Sequence, residues 1–512
     1  MRLSTEITRR LFLGSLGAGS AGLRRAQALS CGEVGGTAAT SSERHKADAL
    51  DLSRLPNFCS HEHWGSIDSV GMASEGFRAD VERGAIPKTK TTLFDILLDP
   101  YFKGMLAASG ADPDALARQA GVRDFRALAT ESPVKAFGLL ETCLIPQRLT
   151  GTYQCIRRGL LDLYGIDTSG ADADAISRLD IAIARNYERI FDWYWATMRK
   201  VFFTELIRPV HPEFYAREDS PAAATLESSF THTVMRVDPL LALWTRKSTR
   251  RDSLARITGI DPRDAMSWRS FIAKLFDLAA QKRACGIKQL QAYSRSLDYI
   301  PRQDREVVWA GDLQPERVRI FQDWVMHECC KQAQERGWAH QVHVGTHNLA
   351  QSSPLPLALL AERYPRMKIV MIHCWPFLAE AGWLAKYHPN MYIDTCWQPV
   401  LNPAFFREAI SGWLNYVPTH KITCSHDATS IEMAMGSSLF TREILGDVLT
   451  EQLHDLGMPE RDLKRVALDM LHNNMVAIYG IGKTVSVDQM ENWSSGYYTA
   501  RAAARAQSSL SS

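Results

Sequence analysis

The chain lacks a C-x-x-C pair among its ten cysteines, which removes zinc-ribbon and thioredoxin-like arrangements. It also lacks an uninterrupted apolar run of about 18 residues, so no segment reads as a membrane span. No G-x-S-x-G elbow and no Walker A loop occur, which leaves serine-nucleophile hydrolysis and nucleotide phosphoryl transfer without an anchor. A formal net charge of only +2 gives a polyanion nothing to hold, so a nucleic-acid reader is not expected.

What is present suits an enzyme. With 512 residues and 46% hydrophobic content the chain can bury a large core. Cys59, Cys374 and Cys424 lie in apolar strand-like runs, where a thiol behaves as a small hydrophobe. Near the start, Thr8-Arg9-Arg10-Leu11-Phe12-Leu13 forms a twin-arginine pattern, followed by a weakly apolar stretch and a small-x-small site at Ala26-Gln27-Ala28. Residues 1–28 therefore read as a signal for the twin-arginine export machinery, with a periplasmic or otherwise exported product. Gly17 to Gly22 spells G-x-G-x-x-G, but no strand precedes it and a small-residue signal core explains it. Residues 29–48 read as a flexible leader, and residues 485–512 as a loosely held Ser/Ala-rich tail.

Between these ends, short apolar runs alternate with helical patterns, the signature of a parallel sheet. Eight runs stand out: Pro56–Ser60, Val201–Leu206, Thr233–Val237, Gly286–Ala292, His340–Val344, Lys368–Ile372, Met391–Ile393 and Lys421–Cys424. Eight is the number a closed barrel needs, so residues 49–484 are expected to form a distorted (β/α)8 TIM barrel. The interval from about 91 to 200 breaks the rhythm with amphipathic helical spacing around Leu93 and Ile190, and is expected to be a helical insertion after the first strand, roofing the barrel mouth.

The candidate chemistry sits at strand ends. His61-Glu62-His63 closes the first run, and in an extended chain residues i and i+2 face one side, so both imidazoles can meet one cation. His343, His373 and Asp427 end three later runs, where barrel enzymes build their sites. Tyr293 and Arg295, just past Lys288, are expected to share a side and hold a substrate carboxylate. His340, His347 and His426 are read as flanking groups, with His426 turned away from Asp427, while His211 and His232 are read as ordinary.

Together His61-Glu62-His63, Gly286-Ile287-Lys288, the His373-Cys374-Trp375-Pro376-Phe377-Leu378 run and Ser425-His426-Asp427-Ala428 resemble the amidohydrolase superfamily, its amidohydrolase-related branch in particular. The resemblance covers about residues 50 to 482 and is densest after Gly286. It implies that His61, His63, His343 and Asp427 bind metal, with His373 as a second-metal ligand or a substrate-polarising group, and Asp427 as proton acceptor. It also implies that Lys288 either bridges two metals as a carboxylated lysine or pairs with a carboxylate. The expected cofactor is one or two divalent ions of the zinc kind, the expected partner a small-molecule substrate, and the chain a homodimer. Three functions follow from such a site: hydrolysis of an amide C–N or lactone bond of a small carboxylate-bearing substrate, a non-hydrolytic decarboxylation or uronate isomerisation, or metal-stabilised binding without turnover.

Overall fold

The computed structural model describes residues 49–63, 92–98, 100–188, 190–216, 230–245, 248–490 and 492–510. Residues 1–48, with the expected export signal and leader, lie outside this range.

All eight expected runs are strands: β1 Asn57–Cys59, β2 Phe203–Val210, β3 Thr231–Arg236, β4 Gly286–Gln289, β5 Ala339–Val344, β6 Ile369–His373, β7 Met391–Asp394 and β8 Ile422–Thr423. They lie side by side in chain order, and every ladder is parallel. The seam between the two end strands is bridged just beyond them. There the Asp427 amide donates to the His61 carbonyl at 2.9 Å and the His63 amide to the Ala428 carbonyl at 3.0 Å. The result is a distorted (β/α)8 barrel. Its strands are buried almost throughout, as a parallel sheet covered on both faces requires.

Helices follow the later strands in the regular way: Pro315–Glu335 before β5, Leu378–Tyr387 after β6 and Ile431–Leu449 after β8. The lower end of the barrel is stopped by the short helix Asn474–Tyr479, whose Met475, Ile478 and Tyr479 pack with Phe58, Ile207, Val234 and Ile372.

The insertion after β1 is helical, as expected, with described helices running from Leu93 to Lys200. Several start on a side chain that accepts an otherwise orphaned backbone N–H: Asp112, Asp124, Ser132, Thr150 and Asp172. The insertion docks on the barrel where helix Gly151–Tyr164 crosses helix Ile431–Leu449. A Cβ placed on Gly159 would stand 1.7 Å from the Glu432 carbonyl oxygen, and one on Gly436 would stand 1.8 Å from that of Cys155. Only glycine permits that crossing.

One expectation fails at the C-terminus. The segment read as a loose tail is helical over Trp493–Leu510, with the Tyr498 hydroxyl bonded to the Phe203 carbonyl at 2.8 Å and Arg501 paired with buried Glu205. Trp493, Tyr497 and Tyr498 share one face of this helix and supply anchors that the Ser/Ala-rich composition conceals.

Candidate metal centre

The seam carries the site. Because β1 and β8 become neighbours on closure, the ends of the first and last strands meet although 364 positions separate His63 from Asp427. The His61 and His63 rings face each other, 5.0 Å apart and nearly perpendicular. Glu62, pointing the opposite way, accepts the Cys59 thiol at 3.0 Å and the Ala428 amide at 2.9 Å, which fastens the residue following Asp427. Burial pushes its carboxyl up to about 8.

Asp427 is the hub. Its Oδ1 lies 3.3 Å from His63 Nε2, and its Oδ2 lies 3.5 Å from His373 Nε2 and 3.9 Å from His61 Nε2. His61, His63 and Asp427 each offer a donor atom within 4.8 Å of the other two. Asp427 and His373 both adopt left-handed backbone, at φ 55° and 73°. For non-glycine residues that costs roughly 1–3 kcal/mol each, a strain that collects at functional sites.

The hydrogen-bond network fixes which ring nitrogens face the hub. Gln341 gives its amide hydrogens to the Ser60 carbonyl at 2.7 Å and the Tyr479 hydroxyl at 2.9 Å, so its Oε1, 2.9 Å from His61 Nδ1, must accept. His61 therefore carries its proton on Nδ1 and turns a lone pair on Nε2 toward Asp427. His373 is fixed likewise, with Nδ1 donating to the Cys396 carbonyl at 3.0 Å. Burial, helped by the Lys288 charge, holds both imidazoles well below their usual range, and burial takes His63 down to about 3, so all three are neutral at pH 7. The His373 lone pair thus confronts the Asp427 carboxylate at 3.5 Å with no proton between them, and the His61 lone pair lies 3.9 Å from the same carboxylate with the Lys288 ammonium 3.4 Å away. A cation resolves that opposition, and neutral imidazole with carboxylate is the donor set that zinc-class ions take.

Lys288 lies beside this cluster, with Nζ 3.4 Å from His61 Nε2. Burial lowers its ammonium to about 8, the Asp427 charge opposing the shift. His343 is adjacent but stands outside the tight donor groups. Its ring is 4.4 Å from that of His373, and its Nε2 is 2.7 Å from Thr346 Oγ1. Tyr293 lies beside His343 and His347, its ring tilted against theirs at centre distances of 4.6 and 4.7 Å.

Arg295 corrects the expectation of a carboxylate holder. It is buried, pairs with Asp323 at 2.7 Å, donates to the Ser296 and Asp298 carbonyls, and lies over the Tyr299 ring. The strand alternation assumed for Tyr293 and Arg295 ends at Gln289, where a 3-10 turn over Gln291–Tyr293 redirects the chain. His426 is turned away as expected, against Phe203 and bonded to Asn57 at 2.8 Å.

Three site residues, Tyr101, Gln341 and Cys396, escaped the sequence reading. Tyr101, from the insertion, donates to Asp427 Oδ1 at 3.0 Å and packs on Trp397, their ring centres 4.4 Å apart. Gln341 and Cys396 complete the polar floor. Gln341 sits two positions before His343 on the inward face of β5, a pattern that could have exposed it.

The amidohydrolase family model matches residues 302–423, which span β5 to β8. Protein fluG of Emericella nidulans is 24% identical over 242 residues, covering 42% of this chain and 28% of that protein, so the chain spans under a third of the length of that curated relative. Among solved structures, glucuronate isomerase from Caulobacter crescentus is similar with a TM-score of 0.64 at 18% identity, covering 87% of this chain and 95% of that one. A protein described as a metal-dependent hydrolase from Lactobacillus casei is similar with a TM-score of 0.53 at 17% identity, covering 85% and 98%.

Proposed function

We propose that this chain, whose residues 302–423 match the amidohydrolase family model, is a metal-dependent enzyme that hydrolyses an amide C–N or lactone C–O bond of a small molecule at the His61–His63–Asp427 cluster. The observation that carries this reading is the pair of Nε2 lone pairs, from His61 and His373, aimed at Asp427 Oδ2. His61, His63 and Asp427 would hold the ion, with His373 beside them. Such a divalent cation would supply Lewis acidity there and make a bound water far more acidic than bulk water, with a pKa of about 7 rather than about 15.7.

The chain's own residues do the rest. Asp427 takes the proton of the attacking water and returns it to the leaving group. The Tyr101 hydroxyl orients that carboxylate through Oδ1. His373, locked by the Cys396 carbonyl, keeps Nε2 facing the reacting centre. With Arg295 occupied by Asp323, recognition of a substrate carboxylate is not assigned to it.

A second reading, aldose–ketose isomerisation of a uronate, draws support from the likeness to glucuronate isomerase and from the adjoining Asp427 and Tyr101, a base and an acid in contact. Turnover of the metal-loaded chain in heavy-oxygen water separates the two. Label in the product of an amide or lactone supports hydrolysis, whereas unlabelled conversion of a hexuronate supports isomerisation. If no substrate turns over and Asp427→Asn keeps ligand affinity, the chain is a binding protein.

Export to the periplasm belongs to the same reading, supported by Arg9 and Arg10 in their twin-arginine context. Replacing both with Lys should retain the protein in the cytoplasm.

A further inference from the structure

A cavity of about 1060 Å³ lies at the opposite end of the barrel from the candidate metal centre, where the strands begin. Glu205 of β2, His232 of β3 and Trp338 just before β5 line it, as do Tyr479 and the helix Trp493–Leu510. This face of a barrel ordinarily serves stability rather than chemistry, and packed interiors leave few voids larger than a water molecule. The volume is instead that of a small-molecule site.

Its charge is one-sided. Glu205 is the one carboxylate among the described lining residues, it is 1% exposed, and it is already answered three times. Arg501 pairs with it, His232 Nε2 lies 2.8 Å from Oε2, and the Tyr497 hydroxyl donates to Oε1 at 3.1 Å. Arg336 is paired with Asp277 at 2.5 Å. Arg283 and Lys483 also line the cavity, and neither pairs with an acidic group among the described residues.

Exposed cations often go unpaired, and on open surface these two would carry no meaning. Here they share a cavity with three large rings. Trp338 and Tyr479 are each 8% exposed, and Trp493 is held by its indole N–H on the Arg54 carbonyl at 3.2 Å. Ordered aromatic walls beside uncommitted cations suit a planar ligand that carries an acid group.

We propose that this cavity is a second binding site, apart from the metal centre, for a small aromatic anion. Arg283 and Lys483 take the acid group, and Trp338, Tyr479 and Trp493 take the ring. Glu205, satisfied by Arg501, His232 and Tyr497, sets the floor without repelling the ligand. The site is independent of the reaction run at the other end of the barrel.

Calorimetric titration of the chelator-stripped full chain with 2-naphthoate tests this, with metal removed so that no cation at the mouth can hold the carboxylate. The expected result is about one naphthoate per chain, with neutral 2-naphthamide at least about tenfold weaker, the size of a lost charge-assisted contact. Arg283→Ala/Lys483→Ala, both on exposed side chains, should fold and weaken naphthoate binding by a similar factor. Trp493→Ala should weaken naphthoate and naphthamide alike. No naphthoate binding, or binding unchanged in both variants, overturns the proposal. Displacement of naphthoate by inorganic phosphate at equal affinity overturns it too, because the rings would then contribute nothing.

Discussion

Tyr101 donates its hydroxyl to Asp427 Oδ1 at 3.0 Å across 326 positions of sequence, so the helical insertion reaches the heart of the barrel. A hydrogen bond to a charged group is worth about 1.5–3 kcal/mol. Tyr101→Phe should therefore lower kcat roughly 10- to 100-fold with KM little changed, as steady-state kinetics would show. A rise in KM alone would make Tyr101 a packing residue.

Gln341 dictates the His61 tautomer, and such outer partners typically contribute 10- to 100-fold in metal affinity. Gln341→Ala should weaken metal binding by about that factor in a competitive chelator titration. Unchanged affinity would remove the tautomer argument.

Arg295 and Asp323 form a buried pair, with Arg302 as a second partner at 2.9 Å. Arg295→Ala should cost about 3 kcal/mol in urea unfolding, the low end for a broken buried pair because Arg302 remains. KM in the surviving folded enzyme should stay constant. Selective loss of carboxylate-bearing substrates would restore the role expected from sequence.

Glu432 sits buried where the insertion meets the barrel, its two carboxyl oxygens each bonded at 2.7 Å by Tyr164 and Tyr187. Burial raises its pKa from 4.5, although both phenols oppose the shift. A raised carboxyl favours the folded state fully below the unfolded pKa, and that contribution fades as pH climbs through the folded value. Wild-type stability should thus fall relative to Glu432→Gln as pH rises from about 4.5 toward neutrality, measured by denaturant unfolding at both ends. An opposite slope would mean that the phenols win.

The barrel was legible because its strands are short apolar runs alternating with helical patterns, and each of the eight became a strand. His61, His63, His373 and Asp427, singled out by their places at strand ends, are brought within a few ångströms of one another by the fold. His343 was read as a ligand from its place alone, and its Thr346 contact depends on the loop after β5. Arg295 misled because period-two alternation was carried past the last residue of β4. Tyr101 and Cys396 left no local signal, since one arrives from the insertion and the other from the turn after β7. The C-terminal helix was hidden by its composition, its three aromatic anchors being outnumbered by serine and alanine.

The most direct test of the centre is metal content per chain in purified full-length protein and in the His61→Ala/His63→Ala variant. A cation shared by His61, His63 and Asp427 predicts at least about one zinc-class ion in the wild type and its loss, together with turnover, in the folded variant. Equal metal content in both proteins would contradict it.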